Sequence, residues 1–286
     1  NVNGTGKYFG GLVGKNEGYL SNSHYNIDNV VINGGSHVTI GGLFNDQYEN
    51  WLSGGLSLFI SDYSQSLIPD GNYYEISSVQ GLKDLLGFAD VRDYRFRLTT
   101  DLDLFDVFGF FIPYFAAAEF DGSNHAISNL HINISNDHIA LFGYIDGGDI
   151  KNLGLVDIDV TGLENVGGLV GYLSGGSVTN CHATGTVNGT ENHVGGLVGY
   201  MSDGSMIDCF ASGDVIGRNM VGGLAGFNHG NISHCYSICD VAGINHVGGL
   251  VGRNSGDSVI RCQSRGAVNG TGSHVGGLLG YNLSLI

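Results

Sequence analysis

Short apolar segments alternate with Gly-, Asn- and Ser-rich segments through the C-terminal half of the chain, and the alternation is periodic. The sequence Val166-Gly-Gly-Leu-Val-Gly returns, with small changes, at four later positions: Val194, Val221, Val247 and Val275. Successive copies start 26 to 28 residues apart. A repeat of this length without a helical period is typical of a solenoid in which each repeat forms one coil.

Each repeat has two further fixed positions. A cysteine follows the start of the motif by 14 or 15 residues, and a valine lies six residues beyond it. The cysteines are Cys181, Cys209, Cys235 and Cys262. Three short apolar segments per repeat cannot bury their own surface, but stacking successive repeats in parallel buries a continuous column. The pattern predicts an all-β fold, a parallel β-helix or three-sided β-solenoid with polar, glycine-rich corners.

One segment outside the repeats has a helical pattern. Its apolar positions Val79, Leu82, Leu85, Leu86 and Ala89 lie on one face of a helix. Ser77 or Ser78 is in the position of an N-cap. The sequence therefore predicts one short helix that flanks the solenoid.

The motif V-G-G-L-V-G…N-C-x-A-x-G-x-V-x-G resembles the GLUG repeat of large bacterial and archaeal surface proteins, adhesins and IgA-protease-like secreted proteins. Residues 139–280 carry the resemblance well, and residues 9–31 carry it in part. The stretches 74–82, 98–104 and 120–130 are similar to the segment that commonly precedes such arrays. The resemblance implies a right-handed β-helix on a cell surface, in which the repeats are a scaffold without a single biochemical activity.

Four regions follow from these patterns. Residues 1–33 are predicted to be the end of a GLUG-like array, with strands at 10–14 and 25–32. Residues 34–72 are predicted to be an irregular connector, residues 73–138 an entry segment with the helix and an aromatic loop, and residues 139–286 the repeat solenoid. Residues 3–14 also match residues 269–280. We therefore expect either tandem copies within a longer chain or a protomer whose end stacks on the start of the next.

Composition narrows the class of protein. Glycine accounts for 50 of 286 residues and proline for two, and 27 acidic residues outnumber 11 basic ones to give a formal charge of −16. This charge argues against a nucleic-acid partner. The sequence has no apolar run long enough for a transmembrane helix. An acidic, weakly charged surface favours an extracellular or cell-surface location.

The cysteine column admits two states. Equivalent residues of adjacent coils stack about 4.8 Å apart, which suits the Cα atoms of a disulfide, but parallel Cβ atoms must lean together to form one. We favour free buried thiols, and leave open the pairs Cys181–Cys209 and Cys235–Cys262. Cys239 has no cysteine at the same place in the other repeats. The spacing lacks paired C-x₂-C motifs, so we expect no zinc, no other metal and no cofactor.

The histidines before the motif, His193, His246 and His274, are predicted to be exposed corner residues rather than metal ligands. Asp101/Asp103 and Asp157/Asp159 place carboxylates on one face of a strand, as in polysaccharide-cleaving β-helices. That chemistry also needs a nearby cation, and the repeats hold few: Arg218, Arg253, Arg261 and Arg265. Protease motifs such as H-E-x-x-H are absent from the sequence. We therefore expect no enzymatic activity.

Two kinds of surface site remain. Asn3, Asn188 and Asn269 begin Asn-Gly-Thr sequons at an exposed corner and are candidate glycosylation sites. Trp51 is either a packing anchor or an aromatic platform for a sugar.

The sequence thus predicts a non-enzymatic extracellular structural or adhesive β-solenoid, either a segment of a large cell-surface adhesin or the subunit of a fibre assembled by end-to-end stacking. Its expected partners are further copies of itself, glycans or cell-surface proteins. The alternative is a carbohydrate-active β-helix, a polysaccharide lyase or hydrolase.

Overall fold

The computed structural model describes residues 1–4, 8–16, 20–256 and 258–284. The two helices are Asn45–Ser53 (α1) and Val79–Asp84 (α2), and 3-10 turns span Ile60–Tyr63 and Leu85–Gly87. The strands before the repeats are Tyr25–Asn26 (β1), Gly42–Leu43 (β2), Leu67–Asp70 (β3), Tyr73–Ile76 (β4), Arg95–Leu98 (β5), Leu102–Asp103 (β6), Glu119–Asp121 (β7), Ala126–Ser128 (β8) and His131–Asn133 (β9).

The strands of the repeats follow in the same order along the chain. They are Phe142–Asp146 (β10), Asp149–Lys151 (β11), Gly154–Gly162 (β12), Val166–Gly167 (β13), Val170–Thr179 (β14), His182–Gly189 (β15), Asn192–Gly195 (β16), Val198–Ile207 (β17), Phe210–Ile216 (β18), Asn219–Gly222 (β19), Ala225–Asn228 (β20), Asn231–Ser233 (β21), Tyr236–Gly243 (β22), Asn245–Gly248 (β23), Val251–Asn254 (β24), Ser258–Ile260 (β25), Gln263–Ser264 (β26), Val268–Gly270 (β27), Val275–Gly276 (β28) and Leu279–Asn282 (β29).

Three sheets enclose one core and form the three sides of the solenoid. The first sheet runs from β3 through β4, β5, β7, β11, β14, β17, β20 and β24 to β29, the second from β6 through β8, β12, β15, β18 and β22 to β26, and the third from β13 through β16, β19 and β23 to β28. All pairings in these sheets are parallel except the β3–β4 hairpin. The predicted three-sided β-solenoid is confirmed.

Equivalent residues of successive repeats lie side by side. Val166 pairs with Val194, and the column continues through Val221 and Val247 to Val275. Leu169, Leu197, Leu224 and Leu250 form a parallel column and are fully buried. Each repeat therefore forms one coil, and its apolar positions form the core.

The corners need backbone conformations that most side chains avoid. The residues before the motif, Asn165, His193, Met220, His246 and His274, all have φ between 53° and 61°. The residues before the cysteines, Asn180, Asp208, His234 and Arg261, have φ between 52° and 56°. Asn, Asp and His tolerate the left-handed region better than other non-glycine residues, which explains why they recur at these places.

The sequence predicted one flanking helix, whereas the structure has two, α1 and α2. Helix α2 begins where the sequence predicted, and the Ser78 hydroxyl accepts a hydrogen bond from the Gly81 amide. Helix α1 lies in the stretch predicted to be an irregular connector. Its buried side chains are Gln47 and Trp51, and the Gln47 amide donates to the Asp84 carbonyl at 2.8 Å. A face that buries a polar side chain leaves no apolar periodicity to detect.

The N-terminal region keeps only part of the repeat structure. The strand predicted at 10–14 is absent from the described residues, and the later one is reduced to β1. Tyr8 keeps the left-handed corner conformation, and the Phe9 amide donates to Asn136 at 2.7 Å. The glycine-rich segment has few ladder partners to hold it extended, which accounts for the missing strand. Coil stacking begins before residue 139, since β5 to β9 belong to the same sheets as the repeats.

Candidate functional site

A column of side chains runs along the outer face of the first sheet. It consists of Tyr144, Tyr172, Tyr200, Phe227, Arg253 and Tyr281, which we call the outer ladder; its members occupy equivalent positions of adjacent strands. The four consecutive aromatic rings lie 4.6–4.9 Å apart, with interplanar angles of 4–9°. Because side chains alternate along a strand, neighbours such as Leu173 and Met201 point into the core.

Corner residues cover one side of the outer ladder. His138 packs edge-on against Tyr144 and Tyr172, and His193 packs in the same way against Tyr200 and Phe227. Burial lowers the pKa of His138 to about 4, with a smaller contribution from Lys15. The predicted exposed position is therefore correct for His274 but wrong for His193 and His246, which are half-buried, since the ladder rings offer them a packing surface.

Arg253 is the one member of the outer ladder that is not aromatic. Its guanidinium carbon lies 5.5 Å from the centroid of the Phe227 ring and 5.7 Å from that of Tyr281. The guanidinium thus replaces a ring in the stack. In the sequence, Arg253 was noted only as one of the few basic residues of the repeats. Aligning the repeats at this column would have shown it between aromatic residues.

The cysteine column lies inside the solenoid, and the structure has its members as free thiols. Cys181, Cys209 and Cys235 are buried, and Cys262 is partly exposed. Each Sγ donates to the carbonyl oxygen two residues earlier at 3.1–3.3 Å. Burial, followed by the hydrogen bond with Cys181, raises the pKa of Cys209, and the hydrogen bond with Cys209 raises that of Cys235 to about 12. Such thiols are poor nucleophiles, so the column is suited to packing.

Cys239 lies on the second sheet, in register with Gly213. It is buried, and its Sγ donates to the Gly223 carbonyl at 3.2 Å. Burial raises its pKa to about 11. It too is placed as a packing residue.

A network of charges lies on the first sheet before the repeats. Glu119 accepts from the Tyr73 hydroxyl and lies 3.0 Å from Lys151 and 3.3 Å from Arg95. Lys151 also lies 3.5 Å from Asp121. The hydrogen bond that the Tyr73 hydroxyl donates to Glu119 raises the pKa of Tyr73, ahead of burial. This cluster was missed because its members come from four adjacent strands of irregular sequence, β4, β5, β7 and β11, and lack a repeating pattern.

One of the two aspartate pairs considered for catalysis, Asp101 and Asp103, has structural hydrogen-bond partners, and Asp159 of the other pair lies 3.3 Å from His131. Asp101 accepts from the Ala126 amide at 2.9 Å, and Asp103 accepts from Asn129 at 2.7 Å. These hydrogen bonds hold the pKa of both carboxyl groups below the ordinary value, with the Ala126 amide the main cause at Asp101 and Asn129 at Asp103. Within the described ranges, no group of three or more His, Cys, Asp or Glu is arranged to hold a metal ion.

Trp51 is buried, with 8% of its surface exposed. Its indole N–H donates to Asn22 at 3.0 Å, and its ring packs edge-on against His24 with centroids 5.1 Å apart. This placement supports the packing interpretation over the sugar platform. Of the sequon asparagines, Asn3 and Asn269 are exposed and Asn188 is half-buried.

Two small cavities lie on the described surface. They have volumes of about 80 and 160 Å³, whereas pockets for small molecules have about 300–1,000 Å³. The apolar length needed to cross a membrane is not reached by either described helix.

The stacked motif and three parallel sheets define a repeat protein of the parallel β-solenoid class. The family model named the GLUG motif matches residues 162–188 and 190–216, so two of the repeats are GLUG motifs. A crystal structure of a Bacteroides ovatus protein, provisionally named an immunoglobulin A1 protease, is similar with a TM-score of 0.61 and 22% identity, over 76% of this chain and 77% of that chain. At this identity the similarity supports the fold alone. No curated protein matches the chain significantly.

Proposed function

We propose that this chain is a non-enzymatic structural and adhesive rod of an extracellular surface protein, which lengthens when copies stack end to end. At a coarse level, the GLUG β-solenoid fold fits a structural or adhesive protein. The observation that carries the proposal is one core column of valines, which a further coil of a longer chain or of another copy would extend. Val275 in the last coil is 43% exposed, whereas its equivalents in the four preceding coils are fully buried: Val166, Val194, Val221 and Val247.

The backbone of the last coil has the shape that accepts another coil. In the inner coils, the second glycine of the motif faces the carbonyl oxygen of the same glycine in the next coil. A Cβ added at Gly196 would lie 2.3 Å from the Gly223 oxygen, and one added at Gly249 would lie 2.3 Å from the Gly277 oxygen. A Cβ added at Gly277 would meet none of the described residues within 4 Å. A further coil of the same kind would place its carbonyl there.

The thiols are compatible with an extracellular location. Cys181, Cys209, Cys235 and Cys239 are each at most 1% exposed, so they are shielded from oxidants that would otherwise pair free cysteines outside the cell. The acidic, weakly basic composition supports the same location.

Sedimentation velocity and electron microscopy of the full chain over a range of concentration test the stacking. We expect rods that lengthen with concentration for the wild type and for a control, Leu52→Ala, which removes an exposed apolar side chain from α1. Gly277→Ala should give isolated short rods, since its methyl group would meet the carbonyl of an arriving coil. Wild-type rods that stay monomeric when concentrated would overturn the proposal, as would unchanged assembly of Gly277→Ala.

Cleavage of a polysaccharide is a second candidate function, and one observation favours it. The Glu119 network brings two carboxylates, Lys151 and Arg95 together across adjacent coils, which is the arrangement that the alternative requires. Incubating the chain and Glu119→Gln with acidic and neutral polysaccharides decides between the two. Loss of polymer length with the wild type alone would support an enzyme, and unchanged polymer with both would support the structural role.

A further inference from the structure

The coil that contains Arg253 places a basic side chain in a half-buried position. Five described basic side chains lie beside carboxylates: Arg92 with Asp146, Arg95 with Glu119, Arg97 with Glu75, Lys151 with Asp121 and Arg218 with Glu191. Lys83 lies over the Phe44 ring, and Arg261 and Arg265 are exposed. Arg253 has no carboxylate partner among the described residues; its recorded contacts are the faces of Phe227 and Tyr281. A half-buried cation without a carboxylate partner is unexpected in a chain with a formal charge of −16.

Two histidines join the unpaired cation. The rings of His246 and His274 are stacked 4.8 Å apart, and both pack against Tyr281. Burial lowers the pKa of His246, and the neighbouring His274 and Arg253 lower it further. At neutral pH His246 is therefore uncharged, and Arg253 supplies the positive charge of the site.

Hydrogen-bonding groups at this site are left without partners. The Arg253 Nε and the His246 Nδ1 are buried and lack a hydrogen-bond partner in the described structure. Stacking between two rings occupies the faces of a guanidinium, but its N–H donors lie in the plane. Because Nε is buried, an arriving carboxylate would bind the two terminal nitrogens of Arg253 with two parallel hydrogen bonds.

Beyond Phe227, the outer ladder carries a row of tyrosine hydroxyl groups. Tyr144, Tyr172 and Tyr200 are half-buried, and their hydroxyls have no hydrogen-bond partner among the residues that the structure describes. Two coil rises separate Arg253 from Tyr200, a distance of about 9.6 Å. A ligand that contacts both Arg253 and Tyr200 needs a carboxylate near Arg253 and hydroxyl groups along an extended chain.

We infer that Arg253, His246 and His274 bind the carboxylate of an acidic oligosaccharide, whose hydroxyl groups lie along Tyr200 and Tyr172 of the outer ladder. This inference rests on the adhesive part of the proposed function and names the chemical class of its ligand. The sugar carboxylate supplies the missing anion, and its hydroxyl groups pair with the free tyrosine hydroxyls.

Isothermal titration calorimetry of the full chain with trigalacturonate tests the site. The informative variant is Arg253→Tyr, which removes the charge and completes the aromatic stack, as Tyr200 and Tyr281 do in other coils. Its matched control is Arg265→Gln, which removes an exposed charge outside the outer ladder. We expect Arg253→Tyr to weaken binding at least about tenfold, as for loss of a charged hydrogen bond, and Arg265→Gln to bind like the wild type.

Two further measurements separate the parts of the site. Tyr200→Phe should weaken binding several-fold, and the methyl ester of trigalacturonate should bind the wild type as weakly as trigalacturonate binds Arg253→Tyr. Absence of binding to the wild type, or equal binding by Arg253→Tyr, would overturn the inference. Tighter binding of a triglutamate peptide than of trigalacturonate would also overturn it, in favour of a protein partner.

Assembly provides an independent readout. Arg253→Tyr should form rods as the wild type does, since it leaves the last coil unchanged. Rods without saccharide binding would refute only the inference about Arg253. Saccharide binding by a chain that stays monomeric would refute only the end-to-end stacking.

Discussion

Replacing Gly196 by alanine tests whether the coils are stacked as tightly as the structure indicates. The added Cβ would lie 2.3 Å from the Gly223 carbonyl oxygen and 2.9 Å from the Ala211 Cβ. The first distance is about 1 Å shorter than an ordinary contact. Because the nearest atom belongs to the backbone, relief requires the two coils to separate locally.

The cost follows from the contacts that this separation disturbs. The amides of Leu197 and Val198 both donate to the Leu224 carbonyl at 3.0 Å, and moving the coils lengthens both bonds. Overpacking a core costs about 1–3 kcal/mol, and weakening two backbone hydrogen bonds adds about 1 kcal/mol. We expect Gly196→Ala to lower the free energy of unfolding by about 2–4 kcal/mol.

Gly277→Ala is the matched control, because it makes the same change at the same motif position without a described neighbour within 4 Å. In the monomer it should leave the stability unchanged or raise it by up to about 1 kcal/mol, since alanine reduces the freedom of the unfolded chain. Urea unfolding followed by far-UV circular dichroism, at a concentration where both variants are monomeric, gives the comparison. Equal midpoints for the two variants would refute the close backbone packing.

Four further outcomes are expected. Ser78→Ala should destabilise the chain by about 1 kcal/mol in urea unfolding, because the first turn of α2 loses its cap. Asn228→Ala should lower the free energy of unfolding by about 1–3 kcal/mol, since the buried Asn254 carboxamide oxygen loses the donor 2.7 Å away; an unchanged unfolding midpoint would contradict a role for this hydrogen bond. His138 has a pKa of about 4 in the fold against an ordinary 6.5, so its neutral form is favoured and its contribution, complete above pH 6.5, is lost as the pH falls towards 4; His138→Asn should flatten that slope in pH-dependent unfolding. A thiol reagent at pH 8 should label at most Cys262 in the native chain and all five cysteines in denaturant; rapid native labelling of Cys209 would contradict its burial.

The sequence predicted the regular part of the solenoid because a strict period leaves little choice of register. A one-residue slip would move Leu197 and Val198 out of the core, so the motif itself determines which residues stack. The position of His193 at a corner was predicted for the same reason. Its packing on Tyr200 was not, because a side chain's neighbours in the next coil depend on rotamers that a one-dimensional pattern does not contain.

Features outside the period were harder to predict. Helix α1 buries Gln47, so its inner face does not look apolar. The Glu119 network needs Tyr73, Arg95 and Lys151 to converge from separate coils, and their sequence separations follow no rule. Arg253 is the intermediate case, since aligned repeats reveal it as an exception to an aromatic column, but only the structure shows that no described carboxylate pairs with it.

The glycine-to-carbonyl contact between coils has a consequence for how such a rod can change over generations. Each coil presents to its successor the same surface that it receives from its predecessor, as Gly196 does with Gly223 and Gly249 with Gly277. Recombination between two repeats of one gene, when it joins them at the same motif position, therefore creates a junction that is already a native contact. Rods of different length can arise in single genetic events, because the recombinant chain needs no further mutations to form its coil–coil contacts.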